Sequence, residues 1–231
     1  MPRGAPLTRE EFTARAGANL SPERWYKPEV RPVEIRGVAC LVKDFRRRPW
    51  FWRTTAGRFV IAREATIYRA LRGVPGVPPF FGQFDEESLI VGRIDARDLS
   101  TFRVKDLDAA FIDRVAALVD SLHVRGVVHW DLRQRKNVLV DVDGAPWLID
   151  FASGVRFPVG SVALRWARIP DLSAVAKLRE KYAPESLTDA DRRVLSLDRL
   201  RPFRRARKER REKAHAARRA ARQAARPHPP A

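Results

Sequence analysis

Residues 107–150 constrain the fold of this chain more than any other stretch. Leu107, Phe111, Val115, Leu118 and Leu122 recur at helical spacing. Asp106 or Asp108 can cap that helix and Gly126 can end it. Two short β-branched runs follow, Val127-Val128 and Val138-Leu139-Val140. Asp143-Gly144 is a strong hairpin-turn signal, because Gly accepts positive φ. Trp147-Leu148-Ile149 then returns as the second strand. The pattern predicts a buried helix feeding a polar loop and a β-hairpin. It places His129, Asp131 and Asn137 on the loop and Asp150 at the hairpin's far end.

A loop Asp, a downstream Asn and a second Asp beyond a hairpin are what phosphoryl transfer requires. One carboxylate accepts the proton of the attacking hydroxyl, while the Asn and the other carboxylate hold Mg²⁺ against nucleotide phosphates. Such a site also needs a cation on the α/β-phosphates and an acid that fixes the cation. Residues 38–43 read as a strand ending in Lys43, and residues 63–71 as a helix with Ile67 and Leu71 on one face. Glu64 is then the natural partner of Lys43. The plainer alternative is a surface lysine and a solvated helix glutamate; the downstream residues favour the pair. Residues 73–79 are a turn-rich break. Residues 80–84 and 88–91 read as the next strands, joined through Asp85-Glu86-Glu87. Residues 89–94, Val91 among them, are expected to form a hinge that contacts adenine through backbone groups.

The order His129, Asp131, Asn137, hairpin, Asp150-Phe151 resembles the catalytic and metal motifs of protein kinases. Together with VKDF at 42–45 and REATIYRALRGVPGVPPFFG at 63–82, it resembles the bacterial lipopolysaccharide kinase (Kdo/WaaP) family. That family belongs to the wider protein-kinase-like superfamily, and the chain is also similar to RIO-type kinases, over roughly residues 35 to 182. The resemblance implies an α+β, bilobal protein-kinase-like fold with a small β-rich N-lobe and a short helical C-lobe. It implies ATP and Mg²⁺, with transfer to a hydroxyl of a lipopolysaccharide-core sugar or glycolipid. Carried over by residue, Asp131 is the catalytic base, Asn137 a metal ligand and Asp150 the main metal ligand. Lys43 and Glu64 become the phosphate-positioning pair. Arg133 stands where many kinases place a cation near the γ-phosphate, as a transition-state stabiliser.

The chain departs from the kinase pattern in places. Five residues, not four, separate Asp131 from Asn137; Trp130 replaces the Arg after the His, and Ala152 the Gly of D-F-G. No glycine-rich loop precedes Lys43. Residues 21–38 offer only Gly37, so phosphate cover is expected from Arg24, Lys27 or Arg36. Ala183-Pro184-Glu185 is read as a chance tripeptide, because a helix-like DLSAVAKLREKY separates it from Asp150. The short C-lobe favours a small-molecule or glycan acceptor over a protein. Asp171 is expected as a helix N-cap, and His129 as a brace for the catalytic loop.

Composition sets the remaining expectations. The length suits a flexible segment at 1–20, an N-lobe at 21–94, a C-lobe at 95–200 and a basic, partly helical or disordered tail at 201–231. A lone Cys40 in an apparent strand fits a buried core position and a reducing, cytoplasmic setting. No apolar run reaches membrane-spanning length, no secretory h-region opens the chain, and His and Cys show no metal-ligand spacing. Net charge is +18, and residues 201–226 carry twelve Lys or Arg against two Glu. Such a tail suits a solvated segment, an anionic membrane surface such as the inner leaflet or, less favoured, nucleic acid. Arg46-Arg47-Arg48-Pro49-Trp50-Phe51-Trp52-Arg53 suits a membrane interface, or else a Pro-started helix whose aromatics pack on the N-lobe. Two other functions compete with the glycan kinase: a small protein Ser/Thr kinase, and a pseudokinase scaffold that binds an anionic partner.

Overall fold

The computed structural model describes residues 8–21 and 24–199. The first lobe is a four-stranded antiparallel sheet in the order β1-β2-β4-β3, formed by β1 (Glu29–Ile35), β2 (Val38–Asp44), β3 (Phe80–Gly82) and β4 (Ser88–Gly92). Arg36 and Gly37, at φ 52° and 76°, close the β1–β2 hairpin in the left-handed conformation that two-residue hairpin turns demand. Along β2 the side chains of Cys40, Val42 and Asp44 are buried in alternation. Cys40 is a core residue, and burial pushes its thiol up to about 11. β3 is shorter than the expected 80–84. Its register with β4 shifts between Phe80 and Gly82, and Asp85 then folds the chain by accepting from the Glu87 N–H and the Ser88 hydroxyl.

A helical run crosses beneath this sheet. It starts at Pro49 as α2 (Trp50–Trp52), passes through a π turn at Arg53–Gly57 and continues as α3 (Arg58–Ala70). In the π turn Gly57 meets Phe45, where a Cβ would lie 3.1 Å from the ring. α3 buries Ile61, Glu64, Ala65, Ile67 and Tyr68, one helical face. Residues 8–20 depart from the expected flexible segment. Thr8 and Glu11 form a capping box that starts α1 (Arg9–Arg15), and Phe12, 2% exposed, packs 5.1 Å from the Phe84 ring. Arg9 binds Asp44 at 2.8 Å. Residues 17–20 then run beside β1, with Gly17 N–H on Pro32 O and Leu20 N–H on Val30 O.

The second lobe is built on α4 (Ala109–Val124), started by Asp108, whose carboxylate accepts from the Phe111 N–H at 2.8 Å. Asp106 instead accepts from the Arg103 N–H one turn earlier. Gly126 ends α4 at φ 73°. A sheet in the order β5-β7-β8 joins β5 (Ala96–Asp98), β7 (Val138–Asp141) and β8 (Pro146–Leu148), while β6 (Val127–Val128) pairs with β9 (Val155–Arg156). Then come α5 (Val162–Ala167), α6 (Ile169–Tyr182) and α7 (Asp189–Arg199). One core runs through both lobes, from Phe45, Leu89 and Tyr68 to Leu122, Val138, Leu148 and Phe151. No described helix is long and apolar enough to cross a membrane. The expected basic tail lies outside the described residues.

Candidate active site

The β7–β8 hairpin sets the centre of the site. Asn137 closes a 3-10 turn, Arg135–Asn137, that feeds β7; its carbonyl accepts from the Ile149 N–H at 3.0 Å. That bond sets Asn137 beside the residue preceding Asp150. The Asn137 side chain donates to the Asp131 backbone carbonyl at 3.0 Å and to the Asp131 carboxylate at 3.2 Å. The turn at 135–137 takes up the extra residue between Asp131 and Asn137, so the two side chains still meet. Gln134, which sequence reasoning did not single out, also donates to the Asp131 carboxylate.

The sequence pair forms and gains a third member. Lys43 Nζ lies 2.6 Å from Glu64 and 2.7 Å from Asp150. Glu64 is 1% exposed, so burial raises its carboxyl against the pull of Lys43. For Lys43, burial works against the ammonium, yet Asp150 and Glu64 outweigh it and hold its pKa above the ordinary value. The Lys43 charge lowers Asp150 to about 2 against the cost of burial. α3 also grips the segment after Asp150: Arg63 donates to the Ala152 carbonyl, and Tyr68 meets the Phe151 ring edge-on at 5.2 Å.

The loop before Asp131 is held from behind. Asp171 is not the N-cap expected for it; Arg168 occupies that place in α6. Asp171 is 1% exposed, and its carboxylate accepts the backbone N–H groups of His129 and Trp130, each at 2.7 Å. His123 Nε2 lies 3.2 Å away. Trp130 needs this support, because its φ of 63° is costly for a bulky residue. Its indole donates to Ala167 O at 2.8 Å. His129 is fully buried and its Nε2 sits 3.0 Å from Ile149 O, which makes it a brace between loop and hairpin. The signal for Asp171 lay in the sequence: it shares a helical face with Ala174, Val175 and Leu178, all buried. An acid on an apolar stripe must find donors.

The other expected residues have these surroundings. Arg133 donates to Ser173 Oγ on α6 at 2.8 Å. Val91 is a core residue at 5% exposure, inside β4 between β2 and β3. The N–H groups of Gly92 and Arg93 are taken by Pro79 and Ala39. Arg36 sits at the Ile35–Val38 end of the β1–β2 hairpin, whereas Lys43 pairs with Val30 near the other end. That separation is about 17 Å along the strand, which removes Arg36 from the site. Arg24 is bonded to the Tyr26 hydroxyl at 2.7 Å.

The donor set suits a hard cation. Asp150 and Asn137 offer a carboxylate and an amide oxygen, and Mg²⁺ is held by one or two such groups together with water and phosphate oxygens. No cluster of three or more His, Cys, Asp or Glu that could hold a metal occurs among the described residues.

No protein-family model and no curated protein matches the chain. Solved structures do. The Rio2 kinase of Chaetomium thermophilum, in its ADP/Mg²⁺-phosphoaspartate complex, aligns over 78% of this chain and 60% of its own, with TM-score 0.59 and 16% identity. A second structure of that kinase aligns over 76% of this chain and 61% of its own, with TM-score 0.57 and 17% identity. The chain spans about three fifths of the length of these neighbours, and at such identity the likeness is one of fold. The chain has the protein-kinase-like fold.

Proposed function

We propose that the protein is an ATP- and Mg²⁺-dependent phosphotransferase that phosphorylates a hydroxyl of a glycan or glycolipid, with a lipopolysaccharide-core sugar as the favoured class. The observation that carries the reading is the Lys43–Glu64–Asp150 chain of contacts beside the Asp131–Asn137 pair. Asp131 accepts the proton of the attacking hydroxyl, and Asn137 and Gln134 orient its carboxylate. Asp150 and Asn137 would hold Mg²⁺, which would neutralise charge on the transferring phosphate. Lys43, fixed by Glu64, positions the α/β-phosphates. Residues 89–94, with Val91 at their centre, form the hinge that contacts adenine through backbone groups. The ADP and Mg²⁺ of the Rio2 complex support the choice of nucleotide and metal.

The acceptor class rests on two observations. Only residues 151–168 separate Asp150 from α6, which leaves little chain to build a peptide-binding platform. Trp50 and Phe51 stand exposed at 72% and 59%, close in sequence to the exposed Arg46 and Arg47, and Phe59 is exposed at 64% under Arg63. Indole and phenyl rings flanked by arginines suit the headgroup level of an anionic membrane, where a lipid-linked sugar resides. Peripheral attachment at the cytoplasmic face of such a membrane follows, helped by the basic tail. The test is incubation with γ-labelled ATP and separate glycolipid and protein fractions. Label in the glycolipid supports the reading; label confined to Ser or Thr of protein replaces it with a small protein kinase.

A further inference from the structure

The loop that enters β1 carries a cation toward the phosphate end of the site. β1 and β2 pair in a register that sets Val30 against Lys43 and Glu29 against Asp44. Residues 24–28 therefore lie at the Lys43 end of the sheet. Residues 17–20 run along β1 in the other direction, so this stretch belongs to the connection that turns over that end. It is the place where a glycine-rich cover would bring backbone N–H groups to phosphates, and residues 24–28 contain no glycine.

The loop is fastened by its carbonyls. Trp52 Nε1 donates to Tyr26 O at 3.2 Å, and Arg48 Nε donates to Lys27 O at 2.7 Å. The Trp25 ring meets Trp52 edge-on at 5.1 Å, and Lys27 N–H closes a turn on Arg24 O at 3.0 Å. Trp52 belongs to the helical run that continues into α3 and Glu64. The carbonyl anchors thus tie the loop to the element that fixes Lys43. Lys27 is half-buried, and among the described residues no carboxylate lies within ion-pair distance of its ammonium.

We propose that the Lys27 ammonium, aimed by the Trp52 and Arg48 anchors on its loop, takes the place of a glycine-rich cover and binds the terminal phosphates of the nucleotide. A lysine serves phosphate as a point charge that needs no close backbone approach. The proposal rests on the phosphotransferase reading above and adds a phosphate-contacting residue to it. Lys27 is the counterpart of Lys43 from the opposite side of the phosphate chain.

The experiment is calorimetric binding of ATP and AMP, with Mg²⁺, to wild type, Lys27→Ala, Lys27→Arg and Trp52→Phe. Lys27→Ala is expected to weaken ATP by roughly tenfold or more, the usual scale for a charged hydrogen bond, and to leave AMP unchanged. Lys27→Arg should recover most of the loss. Trp52→Phe keeps the ring and removes the donor, so it should weaken ATP by a smaller factor, again sparing AMP. Equal losses for ATP and AMP, or no loss for either, would overturn the role of Lys27 while leaving the nucleotide site intact. Failure of the wild type to bind ATP would overturn the underlying reading itself.

Discussion

At the scale of single residues, Lys43 organises the charges. It joins Glu64 on one helix to Asp150 beyond the hairpin, so removing it leaves an acid buried without a cation. Breaking a buried pair from one side costs about 3–5 kcal/mol, and a domain of this size loses ~2–4 °C of Tm per kcal/mol. Lys43→Met should therefore lower Tm by about 10 °C in thermal melts. It should also let the Asp150 carboxyl titrate upward from about 2 toward its ordinary 3.8, which carbon-detected NMR can follow. The sign of the pH effect is set by the same shift. Because Asp150 is lowered in the folded state, its contribution is complete above pH 3.8 and fades as pH falls through about 2. The Tm difference between wild type and Asp150→Asn should shrink across that window. The Lys43–Glu64 and Asp131–Asn137 contacts were legible in the order and spacing of these residues along the chain. Asp171 was misread because a helix-start acid looks like a cap until the donors it serves are seen. Those donors are backbone N–H groups about forty positions earlier, and no local pattern marks them.

At the scale of elements, the helices follow from apolar spacing and the strands from β-branched runs. Their ends depended on contacts. α4 begins at Asp108 and ends before Gly126 because both signals are local. β3 stops at Gly82 because Asp85 recruits the Glu87 and Ser88 donors, a competition that composition does not show. α1 escaped notice because its one buried side chain, Phe12, finds its partner Phe84 across the sheet. Truncating a buried Phe costs about 3–5 kcal/mol. Phe12→Ala should therefore lower the urea midpoint, and an unchanged midpoint would mean that α1 does not dock. α6 supplies the brace behind the loop at 129–131. Asp171→Ala orphans two N–H groups at a strained Trp130, so it should cost about 3 kcal/mol in denaturant melts and depress kcat more than KM. Trp130→Gly in that background should restore part of the stability, since Gly accepts φ 63° without strain.

At the scale of the whole molecule, two lobes share one core, and the site lies where α3 meets the segment after Asp150. The bilobal organisation was legible because the motifs came in order along the chain. The placement of Arg24, Lys27 and Arg36 was not, since it required the register of β1 on β2. On the proposed reading, the exposed Trp50 and Phe51 and the neighbouring arginines would face anionic lipid. Co-sedimentation with phosphatidylserine vesicles should fall about tenfold for the Trp50→Ala/Phe51→Ala variant, and binding of the wild type should weaken steeply with salt. The central claim is phosphoryl transfer from ATP by the Asp131 and Asp150 site. Its most direct measurement is Mg²⁺-dependent ATP turnover by the full chain, beside Asp131→Ala and Asp150→Ala, with an acceptor glycolipid extract present. The account expects turnover in the wild type, abolished by EDTA and by either substitution. Turnover that survives both substitutions, or a wild type that neither binds nor turns over ATP, would contradict it.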